Sequence, residues 1–384
     1  MKSCIAVMTC LSLLFLLTGC WNKAELTEFG FVQAVAVDLS KEGKIELTTH
    51  FYLPSGGEAV SNTPPRQRGV SIQTVGDTAF EAVRDIPIHF GRKAKWDHFR
   101  AILFGEEFAK EKGITEVMDY FMRDHEPRET VFVLIAKGPA KEVLNIKPFI
   151  ESTIGQQIRR MVDSAAHYSA KTTRVPLLDL ANQLKSETGV AMLPLIQINN
   201  KPNIASVAGI AAIKDEKMTN QFMTPADVES LLMMLNKYQS GVIEYPCGEP
   251  ENNIHEALEV IALNGKVTPQ VKGDKVLSRV SIKIKGSLGE IRCSPMATKE
   301  DGRRLEQRIS DYVENNLRKT ITDLQKAKLD LIGIGNKIYR KDPAVWFKLK
   351  PDWEEHFAKS RFDIQVKVQV TNSGQDAGKP FSKE

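Results

Sequence analysis

The residue with the clearest chemistry is Cys20. It stands in Leu17-Thr18-Gly19-Cys20, an apolar residue and two small ones before a cysteine, which is the pattern of a bacterial lipobox. Small side chains give a signal peptidase access to the backbone, and the Cys20 thiol is the atom that would take a diacylglycerol. Each CH₂ buried in a bilayer contributes ~0.8 kcal/mol, so two or three acyl chains hold a protein durably. The preceding segment fits this chemistry: Lys2 is the sole charge in residues 1–19, and the run Ile5–Leu17 has no acidic or basic residue. As a helix that run would cover ~20 Å against a hydrocarbon core of ~30 Å, so it reads as the h-region of an export signal.

Other reactive groups are sparse. Of five cysteines, only Cys20, Cys247 and Cys293 remain once residues 1–19 are removed. In an exported chain Cys247 and Cys293 form one disulfide or stay as two buried thiols, and both readings stand. No CxxC or Cys/His cluster supports a metal. The patterns GxxxxGK[ST], HExxH, GxSxG and SxxK are absent, which removes several large enzyme classes. Gly333-Ile334-Gly335 opens like a dinucleotide loop, but Ile338 occupies the third glycine position and no strand precedes it, so a helix-ending turn is expected.

Three further clusters have structural readings. His98, beside Asp97, lacks a nucleophile or second carboxylate at a recognisable spacing and is expected to make a structural hydrogen bond where a strand begins. Arg123-Asp124-His125-Glu126-Pro127-Arg128 reads as a solvated turn with local ion pairs, an anion or partner site being the alternative. Trp346, Phe347, Trp353 and Phe357, interleaved with Lys348 and Lys350, read as core packing, with an interface as the second reading. No enzymatic site, cofactor or metal is expected.

The elements that must position these residues follow from periodicity. At 384 residues, 42% hydrophobic and 26% charged, the chain is of globular composition with room for two or three domains. Its 52 basic and 48 acidic residues are mixed along the chain, unlike a nucleic-acid binder. Without residues 1–19 the count is 51 to 48, too near neutrality for net charge to hold the body at a membrane. Strands are expected over 30–38 and 45–53 as a hairpin, then a Pro/Gly loop over 54–69 and, from Thr74, a helical pattern that Asp77 or Thr78 can cap. A strand at 99–105, two short helices either side of Gly113 and a doubly buried strand at 131–136 complete an N-terminal α/β domain, 20–138. A small middle domain, 139–203, holds helices near 153–165 and 177–185.

The last unit, 204–372, is expected to be an antiparallel sheet packed on a long helix, with a flexible tail at 373–384. Thr224 caps a helix that Gly241 ends, strands follow at 242–246, 255–264, 266–272 and 277–286, and Leu305 to Leu331 recur at helical spacing. The closing strand, 361–371, alternates as an antiparallel strand would. The fold class is α+β, in three domains.

Taken together, these stretches resemble the C-subunit lipoproteins of bacterial spore germinant receptors, the Ger(x)C family. The resemblance rests on Gly19-Cys20-Trp21-Asn22-Lys23-Ala24-Glu25-Leu26, on Asp97-His98-Phe99 with Ile102 to Glu106, on Asp119 to Arg123 with Pro127-Arg128, and on Asp330 to Gly335 followed by Trp346 and Trp353. It implies a three-domain α/β lipoprotein on the outer face of the spore inner membrane. It also implies membrane-embedded A and transporter-like B subunits as partners, detection of nutrients such as amino acids or sugars, and no enzymatic activity. A substrate-binding lipoprotein of an uptake system is the alternative, although no duplicated halves are visible.

Overall fold

The computed structural model describes Glu25 and residues 28–52, 69–200, 203–247, 254–294 and 298–372. The expected signal segment and lipobox with Cys20, nearly all of the expected 54–69 loop and the expected tail from 373 lie outside the described residues.

β1 (Phe29–Leu39) and β2 (Ile45–Tyr52) form the expected hairpin, and β3 (Gly69–Gly76) extends it antiparallel. Thr74, where a helix was expected to begin, instead pairs with Leu47 of β2. The helix α1 (Ala79–Arg84) starts after Thr78, whose hydroxyl accepts the Glu81 N–H; tertiary pairing overrides the local signal there. α2 (Ile86–Phe90) leads into the short β4 (Lys93–Lys95), parallel to the start of β1. β5 (Ala101–Gly105), α3 (Glu106–Glu111), α4 (Thr115–Arg123) and β6 (Phe132–Ala136) follow. Next come α5 (Ala140–Leu144), α6 (Ile154–Tyr168), α7 (Leu177–Leu184), β7 (Ala191–Asn200), β8 (Asn203–Lys214) and β9 (Lys217–Met223).

These strands make one nine-stranded mixed sheet in the order β3-β2-β1-β5-β6-β7-β8-β9, with β4 beside β1. Its centre, β1, β5, β6 and β7, is parallel. Helices cover both faces, which is why the central strands read as unbroken apolar runs. Val35, Val37, Ile102, Phe104, Val133 and Ile135 pack on one side, and Ala34, Ala36, Ala101, Leu103, Leu134 and Ala136 on the other. Strands from all three sequence stretches divided at 138/139 and 203/204 share this sheet.

α8 (Pro225–Met234) opens on a Thr224–Asp227 capping box. It ends well before Gly241, because Asn236 takes the left-handed conformation and the Lys237 N–H returns to the Leu232 carbonyl, a C-cap that asparagine supplies in place of glycine. Gly241 instead opens β10 (Gly241–Cys247), followed by β11 (Ile254–Lys272) and β12 (Lys275–Glu290). The two strands expected at 255–264 and 266–272 are one. Gly265 between them is a site of close approach: a Cβ there would stand 1.9 Å from the Met233 carbonyl oxygen, so the glycine admits the end of α8.

α9 (Lys299–Lys326) crosses the second sheet with Leu305, Ile309, Val313, Leu317, Ile321 and Leu324 buried. α10 (Ile334–Lys341), α11 (Pro343–Leu349), α12 (Trp353–Ala358) and β13 (Arg361–Asn372) complete the chain. The order is β10-β11-β12-β13. β10, β11 and β12 pair antiparallel, but the closing strand pairs parallel with β12. This corrects the antiparallel expectation. Alternation reports one buried face only; the direction is set by the helical crossover that returns the chain to the start of β12.

Candidate functional site: the joint between the sheets

The motif Asp330 to Gly335 lies where the two sheet units meet. Asp330 is buried, and its carboxylate accepts the N–H groups of Ile334 at 2.8 Å and Gly335 at 2.7 Å, so it caps α10. Gly333 sits before the helix with φ of +73°. The glycine pair therefore starts a helix, where a helix-ending turn was expected. An added Cβ on Gly335 would stand 2.7 Å from both the Trp346 ring and the Thr188 methyl, so this glycine lets α10 lie against both.

From α10 and α11 the second unit grips the 186–188 loop that follows α7. Asn336 Nδ2 donates to Ser186 Oγ at 3.3 Å and Thr188 Oγ1 at 3.0 Å. Trp346, fully buried, donates its indole N–H to Glu187 Oε2 at 2.8 Å, and Lys350 Nζ reaches the same oxygen at 2.9 Å. The Lys350 ammonium and the Trp346 N–H hold the Glu187 carboxyl below its ordinary range. Beside this grip is a cleft of about 860 Å³ lined by residues of both units, among them Gln183, Asp330, Asn336 and Lys337.

Burial pushes the Asp330 carboxyl up to about 6, against the pull of the Gly335 and Ile334 N–H groups and of Lys337. A carboxyl that titrates near 3.8 unfolded and about 6 folded takes up protons on folding. Its contribution is complete below about pH 4 and is lost as pH rises through 6, a change of about 3 kcal/mol. Denaturant titrations should show the wild type losing stability relative to Asp330→Asn between pH 4 and 7; a relative gain would contradict this assignment.

A second buried carboxylate braces the far side of the C-terminal sheet. Glu256 Oε1 accepts the N–H groups of Arg292 (2.9 Å), Cys293 (2.9 Å) and Ser294 (2.8 Å), while Oε2 accepts the Ser294 hydroxyl at 2.5 Å. Burial opposes its charge, but the Ser294 hydroxyl and these N–H groups together hold the carboxyl below its ordinary range. Cys247 and Cys293 are disulfide-bonded beside it, with Cα atoms 6.0 Å apart. Their sulfurs and Glu256 are the one group of potential metal ligands within 4.8 Å of each other among the described residues, and the bridge commits both sulfurs to each other. Closing a 46-residue separation constrains the unfolded chain by about 4 kcal/mol. The double variant Cys247→Ser/Cys293→Ser should lose stability of that order in urea denaturation, and an unchanged midpoint would count against a structural bridge.

The remaining sequence candidates do not converge with the joint into a catalytic set. His98 is exposed and meets the Phe31 ring edge-on at 5.7 Å, whereas Asp97 faces Lys95 at 3.7 Å. In the 123–128 turn Arg123 pairs with Asp119 at 2.6 Å and Asp124 accepts the Glu126 N–H. Trp346, Trp353 and Phe357 are buried, Trp346 and Trp353 edge-to-face at 5.1 Å, while Phe347 is exposed. No helix of the described residues is long and apolar enough to cross a membrane.

Comparison with known proteins places this geometry. A family model described as spore germination protein N-terminal domain matches residues 22–198, and one described as spore germination B3/GerAC like, C-terminal, matches 208–374. The chain belongs to the Ger(x)C family. It is 22% identical to spore germination protein KC of Bacillus subtilis (strain 168) over 97% of this chain and 96% of that protein. With spore germination protein B3 of the same organism it shares 25% identity over 94% of this chain and 96% of that protein. The crystal structure of the GerBC protein matches with a TM-score of 0.56 at 21% identity, covering 88% of this chain and 97% of that one, a likeness of fold. In this Ger(x)C chain the boundary between the two family matches falls at the β7–β8 turn, inside the nine-stranded sheet. β8 and β9 thus tie the C-terminal match to the N-terminal sheet, and the Asp330 joint is the second tie.

Proposed function

We propose that this Ger(x)C chain is a non-catalytic subunit of a nutrient germinant receptor, lipid-anchored at Cys20 to the outer face of the spore inner membrane and working beside membrane-embedded A and B subunits. The observation that carries the reading is the pair of family matches, which run over nearly the whole chain directly behind the Cys20 lipobox. The mechanism is positional: an anchor confines the body to a surface and raises its effective concentration near membrane partners, so a modest interface suffices. The paired sheets supply a firm body for that role. The alternative, a nutrient-uptake binding lipoprotein, calls for two similar lobes about a cleft. Here a nine-stranded sheet covered on both faces joins a four-stranded sheet crossed by one long helix, which supports the receptor reading.

Affinity purification of the tagged full chain from spore membranes tests it. Stoichiometric recovery of polytopic membrane proteins is expected. Recovery of the chain alone, with micromolar binding of an amino acid or sugar by calorimetry, would favour the uptake protein.

A further inference from the structure

The end of the nine-stranded sheet from which the chain leads back to Cys20 gathers three arginines, Arg100, Arg128 and Arg159. β1, β5 and β6 are parallel, with Ala34 level with Ala101 and Ala101 level with Phe132, so Arg100 and the 128–131 turn lie at the same end as the start of β1. Arg159 joins them there, donating to the Thr130 carbonyl at 3.3 Å. The half-buried Arg100 has its pKa lowered by burial and by the like charges of Arg159 and Arg128. Of the acids nearby, Asp163 lies between Arg159 and Arg174, Glu151 faces Arg160, and Asp97 and Glu126 face Lys95, while Glu28 and Glu129 are exposed at the same end. Among the described residues no ion pair reaches Arg100 or Arg128.

The same end carries exposed apolar side chains. Phe149 and Ile150, 66% and 92% exposed, form the tip of the loop before α6, and Thr153 at the start of that helix bonds Gln33 of β1 at 3.4 Å. Ile88, 74% exposed, sits on α2 just before β4, which pairs with Phe29 to Phe31. Phe29 is nine positions beyond Cys20, a reach of at most ~30 Å.

We infer that this end of the sheet is a membrane-contacting face, its arginines taking the phosphates of anionic phospholipids and the Phe149-Ile150 tip entering the interfacial layer. The charge is complementary: the guanidiniums of Arg100 and Arg128, outside the ion pairs found among the described residues, match phosphate oxygens in geometry and sign, and adjacent exposed apolar side chains gain by leaving water. The inference rests on the Cys20 anchor for its geometry, and it turns a tether into an orientation, presenting the opposite end of the sheet to partners.

The test uses the full chain. In the lipidated protein on phosphatidylglycerol/phosphatidylcholine vesicles, an environment-sensitive dye on Ile150→Cys is expected to shift to the blue and be quenched by a lipid-borne quencher. The same dye on Glu142→Cys, beyond the opposite end of β6, should stay aqueous. Equal aqueous exposure at both positions would overturn the inference while leaving the anchor intact. In a separate arm that needs no anchor, the Cys20→Ser chain is expected to bind phosphatidylglycerol vesicles reversibly, too weakly to hold it on a pelleted membrane, and not phosphatidylcholine ones. That binding should weaken about 20-fold in Arg100→Gln/Arg128→Gln and about fivefold in the exposed Arg128→Gln alone, with an unchanged thermal transition. Binding insensitive to both variants, or crosslinking of position 150 to a protein instead of lipid, would overturn it. A wild-type chain with no acyl mass refutes the anchor alone, since the second arm still decides the surface.

Discussion

Cys20→Ala should move the protein from the membrane to the soluble fraction of disrupted spores and reduce nutrient-triggered germination to the level of a deletion, while leaving the thermal transition of the body unchanged. The effect is large because two acyl chains each bury many CH₂ groups at ~0.8 kcal/mol, whereas a single myristoyl chain already gives only marginal, reversible binding. The alternative support, net charge, is a surplus of three over residues 20–384. Without the lipid, the high local concentration at membrane partners falls by orders of magnitude. Full germination with soluble protein would contradict the positional mechanism.

The second large effect belongs to the joint. Trp346→Ala should lower the stability of the C-terminal unit by about 4 kcal/mol, because it removes a fully buried indole and leaves a cavity. It also deprives Glu187 of the N–H that Trp346 Nε1 supplies at 2.8 Å. Gly335→Val should do comparable damage by another route, forcing its Cβ against the Thr188 methyl and the fully buried Trp346 ring, an overpacking of the joint. Differential scanning calorimetry checks both, with transitions expected to fall by about 10 °C. Phe347→Ala, one residue from Trp346 but 58% exposed, should shift the transition little. Equal effects at 346 and 347 would mean that the joint does not depend on the buried indole.

The parts of this fold that were legible in the sequence are those in which one local pattern has one meaning. Val131 to Ala136 could only be a strand covered on both faces, and Leu305 to Leu324 could only be one stripe of a long helix. Thr78 and Thr224 acted as the caps their positions suggested. What was hidden depends on partners far along the chain. Thr74 joins a strand because β2 is waiting beside it, and β13 runs parallel because of the crossover that precedes it. Gly333 and Gly335 read as a helix-ending turn, since nothing local reveals that Ser186, Glu187 and Thr188 pack against the helix they begin. The same holds for Glu256, whose partners at 292–294 lie 36 to 38 residues away, and for Arg100, whose like-charged neighbours Arg128 and Arg159 come from two separate segments. Aromatic identity was a partial guide: Trp346, Trp353 and Phe357 went to the core, but helical phase put Phe347 outside.

The central claim is that a firm, non-catalytic body acts from a lipid tether at Cys20, and the mass of the mature N-terminus tests it most directly. Protein extracted from spore membranes and digested should yield a first peptide beginning at Cys20 and carrying a thioether-linked diacylglycerol. A first peptide beginning at an unmodified Met1 would contradict the account.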